Sequence, residues 1–418
     1  MNGLIKSATI IDPKSDFHNK KVDILVENGI ISNIENRIKN QKKCKEISLS
    51  NLHVSQGWFD SSVSFGEPGY EERETIDNGL NTAAKSGFTA VVVNANTNPV
   101  ISTNTDVAFL KSKAEKHAVD LYPMGALTKQ SKGEHLAELF DMHNAGGVAF
   151  GDYQKSISNP NLMKIALQYA SNFGGLVCSF PQDNIISGDG VMNENTTSTS
   201  IGLKGIPNLA EELQVARDLF LLEYTGGKLH IPTISIAKSV ELIQNAKRKK
   251  LDVSCSVAIH NLLFTDENLC DYDTNFKVSP PLRTQNDIDA LITGLKDGTI
   301  DMVTSDHNPL DIELKKIEFD FAAFGTIGLE SAFGALNSIF TLKKTIDLLT
   351  KGKDRFGINI YPINVGNKLN ITFFNPEIKY VFSIKDIVSK SKNSLFFDTA
   401  FQGKVYGIYN NNKVVLNE

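Results

Sequence analysis

Acidic and hydroxyl side chains lie within or directly after three short apolar runs of the chain, and they are the first candidates for chemistry. They are Asp60, Ser62, Ser64, Asp152 and Asp306. Carboxylate and hydroxyl oxygens form a set that suits Mg²⁺ or Ca²⁺ better than Zn²⁺. Asp306 could act as a general base on a metal-bound water. Without such a water, its carboxylate could instead cap a loop or pair with a nearby cation.

The elements that must position these residues form a repeating pattern. Eight short apolar runs are separated by longer stretches, and they cover residues 58–65, 89–94, 119–125, 147–151, 175–180, 228–234, 252–257 and 301–305. Helical spacing of apolar residues occurs between them, at 159–172, 208–224, 235–249 and 285–295. Continuous Val- and Ile-rich strands are typical of a parallel sheet that is buried on both faces. Eight such units predict a (β/α)₈ barrel with its active site at the C-terminal ends of the strands.

Both ends of the chain have β character. Residues 1–55 alternate apolar and polar side chains around a hairpin turn at 27–29, and strand patterns return after residue 356. Neither end is long enough to bury a sheet face alone. We therefore predict one small β-sandwich domain built from residues 1–55 and 356–418, and a barrel domain from residues 56–355.

Composition narrows the class of protein. The 418 residues include 43 Lys and Arg against 48 Asp and Glu, a net charge of −5, which is unsuited to a general nucleic-acid grip. No apolar run is long enough to cross a bilayer, and the polar N-terminal residues are unlike a signal peptide. The four cysteines, Cys44, Cys178, Cys255 and Cys270, form no CxxC pattern. These features predict a reduced cytoplasmic protein without a membrane or nucleic-acid partner.

Seven segments, in order along the chain, resemble the dihydroorotase branch of the cyclic amidohydrolases. They are the turn 67–69 (Glu-Pro-Gly), the segment 94–99 beside the family's Met-Pro-Asn-Thr, 147–152 beside its Gly-x-x-Ala-Phe-x-Asp, 275–283 (Asn-Phe-Lys-Val-Ser-Pro-Pro-Leu-Arg), 298–301 (Gly-Thr-Ile-Asp), 305–309 beside its Thr-Asp-His-Ala-Pro, and 389–394 beside its Ser-Lys-Ser-x-Asn-Thr. The resemblance implies the interconversion of dihydroorotate and carbamoyl aspartate in pyrimidine synthesis. It also implies a divalent metal that polarises the cyclic amide and activates a water.

The metal ligands that the resemblance implies are missing. The four histidine positions of the family read Ser62, Ser64, Phe180 and Thr233, and its carboxylate-binding arginine reads Gly66. Of the family's polar groups near the metal, Asp60, Asp152 and Asp306 remain. We therefore expect no metal. The alternative is one divalent ion, Zn²⁺ or Mg²⁺, held by the remaining carboxylates.

The chain has eight histidines, and five of them lie away from the predicted strand ends. Residues 230 and 233 differ by an odd number, so on a strand of period two they face opposite sides. We therefore expect His230 to face the helices, as a hydrogen-bonded packing residue. The resemblance matches His260 to a position that is not a primary ligand, and we interpret it as a structural residue or as one that supports a ligand.

The resemblance also assigns substrate contacts. It implies that Asp306 stands at the position of the catalytic base, and that Asn96, Asn275 and His307 stand at positions that contact the substrate. With the ligands missing, we interpret all four as remnants of a site.

The leading hypothesis is a non-catalytic dihydroorotase homologue of pyrimidine biosynthesis. It would form a homo-oligomer and act in assembly or regulation with aspartate carbamoyltransferase or with an active dihydroorotase. The alternative is an active cyclic amidohydrolase with an altered metal site around Asp60, Asp152 and Asp306. Metal content and turnover distinguish the two hypotheses.

Overall fold

Two eight-stranded sheets organise residues 2–40 and 44–417, which is the part of the chain that the computed structural model describes. The strands are β1 Gly3–Ile10, β2 Lys21–Glu27, β3 Ile30–Glu35, β4 Lys45–Ile47, β5 His53–Gln56, β6 Trp58–Val63, β7 Phe88–Val93, β8 Asp120–Gly125, β9 Ala149–Phe150, β10 Leu176–Cys178, β11 Met192–Asn193, β12 Gly205–Ile206, β13 Lys228–Ile231, β14 Val253–Ala258, β15 Met302–Thr304, β16 Ile371–Val381, β17 Ala400–Asn410 and β18 Lys413–Leu416. Strands β11 and β12 form a separate two-stranded sheet.

The helices lie mainly between the barrel strands. They are α1 Ile76–Lys85, α2 Asn104–Ala114, α3 Leu139–Ala145, α4 Pro160–Ser171, α5 Asn184–Ser187, α6 Thr196–Ile201, α7 Asn208–Thr225, α8 Ala237–Arg248, α9 Gln285–Asp297, α10 Ile312–Lys315, α11 Ala332–Ile339 and α12 Leu342–Thr350. Short 3₁₀ turns occupy 129–131, 259–262, 266–269, 274–276, 351–356 and 384–386. The four predicted helical stretches correspond to α4, α7, α8 and α9.

The central sheet is a parallel barrel. Its strands follow the order β15-β14-β13-β10-β9-β8-β7-β6, and each pairs with its neighbour in parallel. A parallel bridge between Val63 and His307 joins the two outermost strands, and the Ser64 N–H donates to the His307 carbonyl at 2.7 Å. The predicted (β/α)₈ barrel is confirmed, and each of the eight apolar runs overlaps one of its strands.

Side chains alternate between two layers along each barrel strand. The outward residues, for example Val91 and Leu229, pack against the helices. Inward residues fill the end of the barrel opposite the C-terminal mouth. There Phe59 and Met302 of the strands form an apolar plug with Phe356 of the 3₁₀ turn at 351–356. The lower part of the barrel is therefore a packed core, and a site has space only at the C-terminal end of the strands.

The second sheet combines both ends of the chain, as predicted. Its order is β18-β17-β16-β5-β1-β2-β3, with β4 paired to β1, and β16 runs antiparallel to β5. It has a hydrophobic core of its own, which includes Ile24, Val54 and Phe373. The two terminal segments thus bury each other's apolar faces, because neither supplies enough strands alone.

Trp58 joins the two sheets. It is fully buried, and its ring centroid lies 4.7 Å from that of Phe333 and 5.6 Å from that of Phe374. Its indole N–H donates to the Ser55 hydroxyl at 2.9 Å. The first barrel strand, helix α11 and strand β16 therefore share one aromatic cluster.

Cys44, Cys178, Cys255 and Cys270 are all free thiols. Among the described residues, every helix is too short or too polar to cross a membrane.

Replacing Trp58 with Ala should remove the aromatic contact between the two sheets. We expect a loss of about 3–5 kcal/mol in the free energy of unfolding, because the change leaves a cavity that the rigid surroundings fill only in part. Urea denaturation followed by circular dichroism measures this loss. Phe321→Ala is the control, since that side chain is 76% exposed, and an equal loss in both variants would contradict the proposed role of Trp58.

Candidate functional site

The C-terminal mouth of the barrel contains a very small cavity. Its volume is about 30 Å³, and its walls include Ser62, Asn94, Tyr153, Phe180 and Asp306. That volume holds roughly one water molecule, whereas pockets for small organic ligands occupy about 300–1,000 Å³. We call it the inner cavity. No Lys or Arg is among its lining residues, so it offers no fixed cation to an anionic ligand.

Hydroxyl and amide groups surround the Asp306 carboxyl. The Ser62 hydroxyl donates to its Oδ1 at 3.0 Å, and the Tyr153 hydroxyl donates to the same oxygen at 3.2 Å. The Asn94 amide in turn donates to the hydroxyls of Ser62 and Ser64, at 3.1 and 3.2 Å. A neutral hydrogen-bond network therefore fills the space beside Asp306.

The two other candidate carboxylates are bound elsewhere. Asp60 accepts from the Thr304 hydroxyl at 2.5 Å and from the Ser305 N–H at 2.8 Å, which links the first barrel strand to the last. Asp152 accepts the Leu127 N–H at 2.9 Å and also the hydroxyl of Thr128, which holds it to the loop after β8. Both side chains are therefore structural cross-links of the barrel mouth.

Burial sets the charge of Asp306. It raises the pKa of this carboxyl from 3.8 to about 7, against the lowering effect of the hydrogen bonds from Ser62 and Tyr153. Burial raises the pKa of Asp60 and of Asp152 as well, while their hydrogen bonds lower it. Near neutral pH, Asp306 is thus divided between the acid and the carboxylate form.

Two residues at the implied ligand positions contribute no basic nitrogen to the site. Phe180 is 5% exposed and places an apolar ring on the cavity wall, and Thr233 lines the same cavity with its backbone at φ 52°. The positive φ at a threonine marks a turn after the strand, since β13 already ends at Ile231.

The prediction that His230 faces the helices is wrong. His230 lines the inner cavity, and its ring nitrogens contact the hydroxyls of Ser254 at 2.8 Å and Ser256 at 3.3 Å. The period-two argument failed because residues 230 and 233 do not belong to one strand. Burial lowers the pKa of His230 to about 3, so the ring is neutral and both of its nitrogens are engaged.

His260 and His307 are also buried and neutral. Burial lowers the pKa of His260 to about 3 and that of His307 to about 4. Nδ1 of His307 accepts the Gly328 N–H at 3.2 Å, so its proton resides on Nε2. His307 packs edge-on against Phe65, and His260 lies in the 3₁₀ turn after β14.

The implied substrate contacts are divided between separate places. Asn96 lies in a larger cavity of about 790 Å³ that also borders Arg73, Lys132 and Lys155; we call it the outer cavity. Asn275 borders a third cavity of about 570 Å³ next to Lys315 and Lys390. The structure thus places Ser62, Phe180, Thr233, Asp152 and Asp306 on the walls of one cavity, with Asp60 bound to the Ser62 N–H beside it, and it places Asn96 and Asn275 outside that group.

Tyr153 and Gln154 separate the inner cavity from the outer one, and both residues line both cavities. The Gln154 amide donates to the Tyr153 hydroxyl at 3.1 Å and to the Ser279 carbonyl at 3.0 Å. We call this pair the Tyr153–Gln154 plug. The sequence analysis missed it, although both residues directly follow Asp152; no spacing rule indicates that these two side chains cross the mouth.

Gly66 has no room for a side chain. A Cβ atom at this position would lie 1.9 Å from the Tyr70 carbonyl oxygen, inside the turn where the Tyr70 N–H donates to the Gly66 carbonyl at 2.8 Å. The arginine that the resemblance implies is therefore excluded by the local backbone as well as by the sequence.

The donor set does not fit the metal of the family. Across residues 2–40 and 44–417, no three His, Cys, Asp or Glu side chains come together as a potential metal site. Hydroxyls, an apolar ring and a threonine occupy the implied histidine positions. The three remaining carboxyls already accept hydrogen bonds from different partners.

Comparison with solved structures identifies the class of the fold. The L-hydantoinase of Arthrobacter aurescens superposes with a TM-score of 0.84 at 20% identity, over 100% of this chain and 96% of that one. The dihydropyrimidinase of Brevibacillus agri gives 0.84 at 19% identity, with 100% and 95% coverage. At this identity the likeness concerns the fold alone, which is the parallel barrel with the β domain built from both ends of the chain.

Sequence relatives identify the family. The model of the Dihydro-orotase-like family matches residues 53–239. The dihydroorotase of Pelotomaculum thermopropionicum is 38% identical over 100% of this chain and 99% of its own length. That of Acetivibrio thermocellus is also 38% identical, over 99% of each chain. The chain therefore belongs to the dihydroorotase family, as its motifs indicated.

Replacing Asp306 with Asn should change how stability depends on pH. The folded pKa of about 7 exceeds the ordinary value of 3.8, so the unfolded chain releases this proton first as pH rises. Asp306 therefore favours the folded state at low pH, and this contribution is lost as pH rises toward 7. Relative to Asp306→Asn, the wild-type protein should lose roughly 3 kcal/mol of unfolding free energy between pH 5 and pH 8.

Urea unfolding of both proteins at several pH values measures this difference. Asp271→Asn is the matched control, because Asp271 is exposed and its removal should leave the pH profile unchanged. Parallel profiles for wild type and Asp306→Asn would show that Asp306 is ionised as in an ordinary, solvated carboxyl.

Proposed function

We propose that this chain is a non-catalytic member of the dihydroorotase family that acts in the assembly or regulation of pyrimidine biosynthesis in the cytosol. The observation that carries the proposal is the hydroxyl network at Asp306. In that network Ser62 and Tyr153 donate to the carboxyl that would have to accept a proton from water. Membership in the dihydroorotase family supports a role in pyrimidine biosynthesis. The hydroxyl network at Asp306 supports the absence of turnover.

Hydrolysis of a cyclic amide needs an electrophile at the carbonyl and an activated water. The inner cavity offers neither a cluster of basic nitrogens nor a lysine or arginine that could replace a metal. A base with a pKa near 7 has little effect on a water whose own pKa is about 15.7 unless a cation lowers it. The cavity therefore lacks the groups that would polarise the amide carbonyl and activate the water, which is the first step of the hydrolysis.

Substrate binding is impaired for independent reasons. The inner cavity is about 30 Å³, far too small for a six-membered ring that carries a carboxylate. The Tyr153–Gln154 plug blocks the way from the outer cavity. The turn at Gly66 removes a bidentate arginine contact, a charge-assisted interaction worth roughly 1.5–3 kcal/mol.

The alternative function is an active cyclic amidohydrolase that uses one divalent metal on Asp60, Asp152 and Asp306. Such an ion would have to displace the Thr304 and Thr128 hydroxyls from two of these carboxylates. Those hydroxyls join separate strands and loops, so the displacement would open the mouth of the barrel. We therefore favour the non-catalytic function.

Protein purified without chelator should contain far less than one zinc or magnesium ion per chain, because the donor set does not fit either ion. It should also show no hydrolysis of dihydroorotate above the buffer blank. Elemental analysis and a coupled assay measure both, with one of the 38%-identical dihydroorotases as the positive control. A stoichiometric metal together with turnover that disappears in Asp306→Asn would establish the alternative function.

We further propose that the partner is aspartate carbamoyltransferase or an active dihydroorotase of the same organism. The barrel and the terminal β domain are intact, so the surface remains available for assembly after the site is lost. When the chain is mixed with either enzyme, a co-eluting complex should appear in size-exclusion chromatography. The complex should change the rate of the partner's reaction. Separate elution from both enzymes, with unchanged rates, would exclude this role.

A further inference from the structure

A cavity lies where the terminal β domain meets helix α12 of the barrel domain. Its volume is about 400 Å³, and sites for small organic ligands usually occupy about 300–1,000 Å³. We call it the junction cavity. Its walls come from residues 11–14 after β1, from Gln56 at the end of β5, from α12 and from the 3₁₀ turn at 351–356. It shares no lining residue with the inner or the outer cavity.

Four lysines line the junction cavity, and they are Lys14, Lys343, Lys344 and Lys351. The ammonium of Lys344 lies 3.5 Å from Oδ2 of Asp347. The other three lysines are exposed, and within residues 2–40 and 44–417 they have no carboxylate at ion-pair distance. The cavity therefore presents three cations whose charge the described part of the chain does not neutralise locally.

The carboxylates of the cavity are fewer and mostly engaged. They are Asp12, Asp347 and Asp354. Asp12 accepts the Gln56 amide at 2.8 Å and the backbone N–H groups of Lys14 at 3.0 Å and Ile363 at 2.9 Å. Its oxygens thus hold the cavity wall together instead of pairing with a lysine side chain. The four lysines exceed the three aspartates by one charge, so the cavity as a whole favours an anion.

The first turn of α12 places its charges against the helix dipole. Lys343 and Lys344 stand at its second and third positions, and the turn contains no acidic residue. The N-terminal end of a helix is partly positive, so it favours anions and disfavours lysines. Helix α8 also has a lysine at its second position, Lys238, but Glu241 lies 2.8 Å from that ammonium.

The corresponding neighbour of Lys343, three residues further on, is Ile346. The chain therefore supplies no compensating anion at this position of α12. A local conflict of this kind is expected where a function requires it. An anionic ligand in the junction cavity would remove the conflict, because it would meet both the lysines and the end of the helix dipole.

Gln56 presents an unused hydrogen-bond acceptor at the same cavity. The residue lines the cavity and is only 7% exposed. Its Nε2 donates to Asp12, which fixes the orientation of the amide because a carboxylate offers only acceptors. Among the residues that the structure describes, none donates to its Oε1. A ligand with a hydroxyl or an N–H group would satisfy this oxygen.

We propose that the junction cavity binds a phosphate monoester that carries hydroxyl groups, which is the chemistry of a sugar phosphate or a nucleoside monophosphate. A phosphate monoester carries a charge of about −1.5 to −2 at pH 7, so it matches several unpaired lysines better than a single carboxylate does. The phosphate would lie at the first turn of α12, between Lys14, Lys343 and Lys351.

The organic part of the ligand has its own contacts. Ile11, Ile346 and Ile360 give the cavity an apolar wall, and a ligand hydroxyl would donate to Oε1 of Gln56. The inference goes beyond the proposed role in pyrimidine biosynthesis. It does not depend on the loss of catalysis, because the junction cavity and the Asp306 network share no residue.

Isothermal titration calorimetry of the full chain tests the proposal. Ribose 5-phosphate or uridine 5′-phosphate should bind saturably. Methyl phosphate and orthophosphate should bind at least about tenfold more weakly, because neither has a hydroxyl-bearing carbon body. The tighter of the two organic phosphates shows whether a free sugar phosphate or a nucleotide is the preferred ligand.

A pair of lysine variants tests the site. Lys343→Gln should raise the dissociation constant of the organic phosphate about tenfold, since it removes a charge-assisted contact. Lys238→Gln is the matched control, because Lys238 has the same position in α8 and lies outside the junction cavity. That variant should bind as tightly as wild type, and unchanged circular dichroism of both variants excludes misfolding.

Three results would overturn the proposal. The first is the lack of saturable binding by both organic phosphates at millimolar concentrations. The second is equal affinity for orthophosphate, which would contradict the contacts of Gln56 and the apolar wall. The third is an equal loss of affinity in Lys343→Gln and Lys238→Gln, which would indicate a general effect of charge.

Hydrogen exchange followed by mass spectrometry locates the ligand independently of its affinity. Ribose 5-phosphate should slow amide exchange in peptides that cover residues 11–14 and the first turn of α12. Protection confined to the neighbourhood of Lys132 and Lys155 would assign the ligand to the outer cavity and would contradict the proposal.

Discussion

A buried carboxyl needs either a cation, hydrogen-bond donors or a proton, and Asp306 imposes this requirement on the whole barrel mouth. In this chain the requirement is met by the hydroxyls of Ser62 and Tyr153 and by a raised pKa. The Asn94 amide donates to the Ser62 hydroxyl and thereby orients it. The residues that satisfy Asp306 therefore occupy the space in which a metal and its water would have to lie.

The barrel has hydrophobic cores that lie apart from this site. Its core consists of the outward apolar residues against the helices and of the Phe59–Phe356 plug below, with ring centroids 5.4 Å apart. The strands are also closed by the carboxylate of Asp60, which bonds to Thr304 and Ser305. This separation explains how a chain can keep 38% identity to dihydroorotases while other residues occupy the implied histidine positions at its mouth.

Much of the fold could be predicted from the sequence, because continuous Val and Ile runs leave few choices besides a buried parallel sheet. The joining of the two chain ends followed from the need of each to bury a sheet face. The side-chain directions at the mouth could not be predicted in the same way. His230 points inward on β13, whereas Thr233 lies in the turn after this strand at a positive φ, and a period-two rule cannot anticipate where a strand ends.

The same limit applies to the candidate site. Asp60, Asp152 and Asp306 could be identified from their positions within or after apolar runs, but each carboxyl also has hydrogen-bond partners from distant parts of the chain. Asn275 and Asp306 line different cavities. The 3₁₀ turn at 274–276 places Asn275 beside Lys315. The Tyr153–Gln154 plug depends on Ser279, which is more than a hundred residues away.

These contacts also show why a single substitution would not rebuild a hydrolytic site. A histidine at position 62 would remove the hydroxyl that donates to Asp306. The apolar ring of Phe180 would still offer no ligand atom to a metal ion in the cavity. An arginine at position 66 would collide with the Tyr70 carbonyl. Each barrier has a separate structural cause, so removing one leaves the others in place. The arrangement of the barrel mouth is therefore held by several independent contacts.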